Sequence, residues 1–350
     1  VVCKATFELL PGQARLCSVQ DYPNEEDNHW NDDPARSLYM TADLVPFKPR
    51  ADVLLVGDAY APSGQPVRSL VVRLNVGTVD KRIEVVCDRY VTTEGKVEEG
   101  EAFTRMPLRW ERAAGGAESI NPVGIGSHAK PDRHGRRALP NLQRPGLQVS
   151  DPSDVVEPVC FGPIAASWPF RRRLLGAHAA GWSDDGWHEH PLPADIDSSY
   201  FNAAPTDQRP EEIRGNERLI LDNLHPSEST LTCALPGLKP RAMVERAGAA
   251  KELALRGDTL WVDTVRAVCT VTWRGRVELS SPAEAGRVVI AMQEPGKPFD
   301  WKEACGTEVD SSPDGARPDD NGYSPPPPPA KAGPTVELER VAGLKRMSEV

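Results

Sequence analysis

Between residues 178 and 207 the chain gathers His178, Trp182, Asp184, Asp185, Trp187, His188, His190, Asp195, Asp197, Tyr200, Phe201 and Asp207. Imidazoles and carboxylates together can hold a divalent cation. Paired carboxyl groups can also divide acid and base work, as in glycoside hydrolysis. The spacing argues against both. No His-Glu-x-x-His occurs, and His188 and His190 flank Glu189 in extended spacing just before Pro191. Asp195 and Asp197 stand two apart, so on an extended chain they point the same way. Aspartates in such company cap turns by accepting hydrogen bonds from backbone amides. Asp195, Asp197 and Asp207 are therefore read as structural, and neither a metal nor a cofactor is expected.

A second group invites a phosphate-binding reading. Arg109-Trp110-Glu111-Arg112 is followed by Gly115-Gly116 and by Asn121-Pro122-Val123-Gly124-Ile125-Gly126. Neither Gly-x-x-x-x-Gly-Lys-Ser/Thr nor Gly-x-Gly-x-x-Gly is matched. Arg112, Gly115, Gly116, Asn121, Pro122 and Gly124 are read instead as a structural motif whose glycines permit positive φ where backbone packs closely. There is no Gly-x-Ser-x-Gly elbow, and Cys160 has no evident His partner, so it reads as a buried, inert thiol. Arg171-Arg172-Arg173 beside Trp168 forms a small basic and aromatic patch. Such residues anchor interfaces, although an Arg stacked on Trp inside a fold has the same composition. Trp168, Arg171, Trp182, Trp187, Tyr200 and Phe201 are the candidate partner contacts, expected to include both core and contact positions.

The elements that must hold these residues read as strands. Leu70, Val72, Leu74 and Val76 alternate along 68–76, and Ile83, Val85 and Cys87 along 82–87, the half-buried strand pattern. Along 265–273, Val265, Ala267, Cys269, Val271 and Trp273 face one way, while Arg266, Thr270, Thr272 and Arg274 face mostly the other. Asp258–Val262 precedes that segment, and Asp263-Thr264 is positioned to turn a hairpin between the two. Further strands are expected at 2–9, 53–60, 217–221, 230–235, 241–246, 251–256 and 287–292. With 34 Pro and 28 Gly, long helices are disfavoured. The expected fold is mainly β, an antiparallel β-sandwich-like scaffold with long irregular loops and few short helices. Residues 111–215 lose periodicity but keep aromatics, so they are expected to pack as an irregular insertion, with helical turns near 164–176 and 208–214.

Residues 1–292 read as one domain, 293–334 as a Pro-rich linker, and 335–350 as a short amphipathic helix or the start of a further segment. The formal net charge of -10 argues against nucleic acid, which needs a basic footprint, and against an anionic membrane surface. No apolar run approaches the length of a membrane span. Seven cysteines without a Cys-x-x-Cys pair suit free thiols in a reducing cytosol. No secretory leader is read at the start, where Val1-Val2-Cys3-Lys4 has the texture of a strand already under way and the native start is expected upstream.

The order of several segments resembles one bacterial family, domain of unknown function 2169. These are VCKATF at 2–7, DLVPFKPRADVLLVGDAYAPSGQP at 43–66, VGTVDKRIEVVCDR at 76–89, MPLRWERAAGG at 106–116, NPVGIG at 121–126 and LPNL at 139–142. FGPIAASW at 161–168, PLPADIDSSYFNAAPTDQR at 191–209, RGNERLILDNLHP at 214–226, LPG at 235–237 and DTLWVDTVRAVCTVTWRG at 258–275 complete the run. Ala114 departs from the Phe of the Ala-Phe-Gly-Gly motif, and Gly176-Ala177-His178 from Gly-Thr-Tyr. The resemblance implies a cytoplasmic, non-catalytic type VI secretion adaptor or chaperone. Such a protein binds an effector toxin, or a PAAR- or VgrG-type spike protein, and promotes its loading, without nucleic acid or membrane insertion. It carries over no catalytic residue set. The alternatives are a metal-dependent or carbohydrate-active hydrolase built on the 178–207 cluster, and a structural component of the secretion spike.

Overall fold

Alternating apolar residues build the first hairpin. Ser69–Val76 and Val79–Val86 pair antiparallel around a two-residue turn at Gly77-Thr78, where Gly77 takes φ 56°. A turn this tight matches the strand twist only when a residue adopts positive φ, which glycine does without steric cost. Leu70, Val72, Leu74, Val76, Ile83 and Val85 are buried, while Arg73 and Asp80 pair at 2.7 Å on the other face. The computed structural model describes residues 1–305 apart from 118, 185–190, 247, 280, 282 and 283, together with 335–337.

This hairpin is the centre of a six-stranded sheet with the order Leu142–Gln143, Val79–Val86, Ser69–Val76, Arg218–Asp222, Thr230–Ala234 and Gly12–Gln13. All neighbours are antiparallel except the last pair. A five-stranded sheet packs on it, ordered Arg15–Leu16, Val2–Glu8, Val268–Arg274, Arg256–Asp263 and Asp52–Val56. Its last pair is parallel. The expected hairpin joins Arg256–Asp263 to Val268–Arg274. Asp263 starts the turn by accepting from the Val265 and Arg266 amides at 2.9 and 3.0 Å, and Ala267 closes it at φ 53°. Between the sheets lies one apolar core. Phe7, Val53, Leu55, Leu260, Val262, Cys269, Val271 and Trp273 meet Val72, Leu74, Ile83, Leu219, Leu221 and Leu231. Each large side chain so buried contributes about 1.5–3 kcal/mol of transfer free energy. The scaffold is thus mainly β and sandwich-like, as the alternation predicts.

The other face of the five-stranded sheet is not solvated. Thr270, Thr272 and Arg274, read from the sequence as an outward face, are buried together with Lys4, Thr6 and Thr259. Chain segments between residues 20 and 52, and between 200 and 208, cover this face. At one end Leu54, Val56 and Trp261 pack with Trp30, Tyr39, Met40, Ala203 and Ala204.

Lys239–Arg246 is flanked by Ala249–Leu253 and Arg287–Gln293 in a separate three-stranded sheet. Within 111–215, Ala113, Cys160, Phe161, Ile164, Ala165, Trp168, Leu175, Tyr200 and Phe201 are buried. Pro169–Arg172 is one helical turn continued by a 3-10 stretch at Arg173–Ala180, and Ser198–Phe201 and Thr206–Gln208 are 3-10 turns. The helical turn expected at 208–214 lies earlier, at Thr206–Gln208. Past it, Pro210 lacks an amide donor and Ile213 makes an isolated antiparallel bridge to Gly257 instead. The stretch read as linker from 293 contains a helical turn at Trp301–Cys305. Thr335–Glu337, where the pattern predicts the start of a helix, pairs as a strand with Val19–Asp21, and the rest of that expected helix lies outside the described residues. Among the described residues no helix is long and apolar enough to cross a membrane.

Candidate partner-binding surface

Four of the six candidate contacts are internal. Trp168 stands edge-to-face on Trp110, ring centroids 5.9 Å apart, and Trp110 donates to the Gly162 and Pro163 carbonyls at 3.1 and 2.9 Å. Buried Arg171 donates to the Tyr200 carbonyl at 2.8 Å and the Ile164 carbonyl at 2.9 Å, and lies 5.1 Å from the centre of the Tyr200 ring. Its guanidinium therefore ties the 164–171 turn to the 198–201 turn, serving as a strut inside the insertion. Tyr200 and Phe201 are buried at that junction, where Phe201 meets Phe47. The Tyr200 hydroxyl donates to Asp184 and accepts from Trp182 Nε1 at 2.9 Å, and burial, then Asp184, pushes its pKa up. Trp182 is half-buried at the rim of this cluster. Trp187, His188 and His190 lie outside the described residues.

The three aspartates make three separate sets of contacts. Asp197 caps Ser198–Phe201 by accepting the Ser199 amide at 2.9 Å. Asp195 pairs with His178 Nε2 at 2.8 Å on the surface, a bond that lowers the carboxyl pKa. Asp207 meets Lys81 Nζ at 3.0 Å. Lys81 also donates to the Cys160 carbonyl and Gln208 Oε1 at 2.9 and 2.8 Å, and its burial lowers its pKa. The Cys160 thiol is fully buried and pushed up to about 11 by that burial. Among the described residues no three His, Cys, Asp or Glu side chains come together as a metal site.

The glycine motif is backbone laid on backbone. Asn121, fully buried, donates Nδ2 to the Trp110 and Ala114 carbonyls at 2.7 and 2.8 Å. A Cβ on Gly115 would meet the Asn121 carbonyl at 2.3 Å, and one on Gly124 would meet Asn121 Nδ2 at 2.2 Å. Close approach, rather than the expected positive φ, is what these two positions require, since neither is among the positive-φ glycines. Pro122 lies between Asn121 and Gly124 in this loop, and at Gly116 there is open space instead of a contact. Arg112 ties the motif outward to Asp88 and Asn141 at 3.1 and 3.0 Å.

Two features were not singled out from the sequence. The first is an ionic network on the covered face of the five-stranded sheet. Lys4 pairs with Asp43 at 2.8 Å, Lys48 with Asp52 at 2.9 Å, and Arg274 with Asp258 at 2.6 Å, all six side chains buried. Burial alone would raise both carboxyls of Asp43 and Asp52. Lys4 with the Asn24 amide, and Lys48 with the Ala203 amide, outweigh it and hold each below its ordinary value.

The second is where the sheets end. The outer strands of the six-stranded sheet and one outer strand of the five-stranded sheet are two residues long. At the other edge, Ala51 donates to the Pro210 carbonyl at 2.9 Å and Leu55 to the Phe161 carbonyl at 3.3 Å, so a loop closes it. Short and covered edges of this kind block unwanted strand addition. In the three-stranded sheet, by contrast, Ala249–Leu253 and Arg287–Gln293 carry no backbone partner on their outer sides among the described residues. Lys251 and Glu252 put charges on the first of these edges. The second, Arg-Val-Val-Ile-Ala-Met-Gln, has no charge after Arg287 and exposes Val288.

The family model described as an uncharacterized protein conserved in bacteria (DUF2169) matches residues 1–274. No curated protein and no solved structure matches.

Proposed function

The chain belongs to the DUF2169 family of bacterial proteins, and from that premise we propose that it is a non-catalytic adaptor that holds another polypeptide. Its cargo is an effector toxin or a PAAR- or VgrG-type component of a type VI secretion spike, held in the cytoplasm of the producing cell until loading. One observation carries the binding mode, the open, β-branched edge of Arg287–Gln293 beside a sandwich whose other edges are short or covered. An incoming strand gains backbone hydrogen bonds there with little demand on its sequence. The candidate catalytic residues support the same reading, because Asp197, Asp207 and Cys160 are each committed to a cap, an ion pair or the core. The aromatic-groove mode has weaker support, since Trp168, Tyr200 and Phe201 are core residues.

The test is affinity capture of the tagged protein from its own cells, followed by mass spectrometry of both the cells and the secreted fraction. The adaptor reading expects a stoichiometric toxin or spike partner, with the protein itself retained in the cell. Capture without any polypeptide partner, or co-secretion with the spike, overturns it.

A further inference from the structure

A cleft of about 470 Å³ opens beside the glycine motif, and Arg36, Arg89, Arg109, Arg112, Asp88 and Glu111 are among the residues that line it. In a chain of formal charge -10 this is an unusual local excess of cations. Three of the arginines are engaged. Arg36 meets Asp33 at 3.3 Å. Arg89 donates to the Val149 and Pro140 carbonyls and to Gln143 at 3.2, 3.0 and 3.0 Å. Arg112 holds Asp88 and Asn141.

Arg109 differs from them. Its guanidinium lies 3.7 Å from the centre of the Trp30 ring, and among the described residues it has neither a hydrogen-bond acceptor nor an ion-pair partner. Its Nε is buried and unpaired, as is that of Arg89, but Arg89 spends its Nη1 and Nη2 on three acceptors whereas Arg109 has none among the described residues. The carboxylate nearest in sequence, Glu111, is turned to Ser37, accepting its amide at 2.8 Å and its hydroxyl at 2.7 Å. Asp88 is taken by Arg112 and by Asn141 at 2.9 Å. A buried donor left unpaired costs stability comparable to a lost hydrogen bond, and an acceptor arriving at the Arg109 guanidinium would recover it.

We propose that this cleft is a carboxylate-binding site in which Arg109, held against the Trp30 ring, is the principal donor. The identification of the ligand's owner as the bound polypeptide rests on the adaptor reading above. A planar guanidinium clamped by an aromatic ring presents its edge as a fork, which matches the two oxygens of a carboxylate. The carboxylates of Asp88 and Glu111 remain in the lining and disfavour the higher charge of a phosphate. The carboxylate belongs to an Asp or Glu side chain or to the C-terminus of the partner chain.

The test follows the Nε–H resonance of Arg109 in ¹⁵N-labelled protein, assigned by its loss in Arg109→Gln. The probes are acetate, inorganic phosphate, an end-blocked peptide containing Glu, its Gln counterpart, and the Gln peptide with a free C-terminus. A saturable shift with acetate and with at least one carboxylate peptide, weaker with phosphate and absent with the blocked Gln peptide, supports the site. Which peptide titrates identifies the source. Arg109→Lys, which keeps the charge, loses the fork and lacks the Nε–H, is followed instead by the backbone amide shifts of the cleft residues Arg112 and Asn141, and is expected to bind acetate several-fold more weakly. No saturable shift with acetate, or phosphate binding as well as acetate at equal ionic strength, overturns the assignment. Capture of the cellular partner separates the two claims. If Arg109→Gln retains the partner as well as the parent protein does, the cleft assignment fails and the adaptor reading stands. If acetate titrates but no polypeptide is ever captured, the adaptor reading fails and the carboxylate site stands.

Discussion

The two faces of the five-stranded sheet are both dry, yet they are held by opposite means. The inner face is a continuous apolar layer, Phe7, Leu260, Val271 and Trp273 against Leu74, Ile83 and Leu221. The outer face at the Lys4–Arg274 end is built from ion pairs and threonines, with Thr272 Oγ1 meeting Asp43 at 3.1 Å and Lys48 Nζ meeting Thr259 at 2.7 Å. An apolar layer is held by burial and packing and carries no charge to lose in acid. A buried ionic layer has a fixed geometry, because each charge taken from water must keep its partner. The contrast explains how irregular covering segments are fastened to a regular sheet. Asp43 and Asp52 act as clamps, and Asp52 alone accepts from Asn202 Nδ2 at 2.8 Å and from the Ala203 and Ala204 amides at 2.9 and 3.2 Å.

The largest expected effect therefore falls on the ionic face. Asp52→Ala strands the Lys48 ammonium and several donors and is expected to cost about 3–5 kcal/mol in chemical denaturation. Replacing Lys48 and Asp52 together by apolar residues is expected to cost clearly less than Asp52→Ala alone. Equal losses would mean that the pair is worth no more than its volume. On the apolar face, Leu74→Ala is expected to cost about 2–5 kcal/mol by leaving a cavity.

Acid separates the faces more sharply. The folded-state pKa values of Asp43 and Asp52 are depressed, so their contribution is complete above the unfolded value of about 4 and is lost as pH falls through the lower folded values. Stability measured downward from pH 5 should fall in the parent protein and in Leu74→Ala alike, and should fall less steeply in Asp52→Asn, where the Asp43 share remains. A parallel slope in all three proteins would remove Asp52 from the account. Smaller in effect, Gly124→Ala is expected to destabilise by about 1–3 kcal/mol, because a Cβ there meets Asn121 Nδ2 at 2.2 Å. The smallest effect on folding is expected for Val288→Pro on the exposed edge, little change in melting temperature but about a tenfold loss of partner capture.

The apolar face was legible because period-two alternation survives in the sequence. Leu70 to Val76 and Cys269 to Trp273 announce both their strands and the side that is buried. The ionic face was not legible. Thr270, Thr272 and Arg274 have the composition of a solvated face, and Asp43, which accepts from Thr272, lies 229 residues away in the chain. The same ambiguity governs the candidate surface. Trp168, Arg171, Tyr200 and Phe201 have the composition of an interface, and Arg171 uses it to satisfy carbonyls inside the insertion. Arg109 carries no signal of its own either, since Glu111 two residues on looks like its partner until Ser37, 74 residues away, is found to occupy that carboxylate. The open edge at 287–293 was read as a strand, but which strands end a sheet is set by pairing that alternation does not encode.

Hydrogen–deuterium exchange on the protein alone and in complex with its captured partner tests the central claim most directly. Slowed amide exchange across 287–293 on binding, with Val2–Glu8 in the sandwich unchanged, is the predicted result. A bound partner that leaves exchange at 287–293 untouched would contradict it.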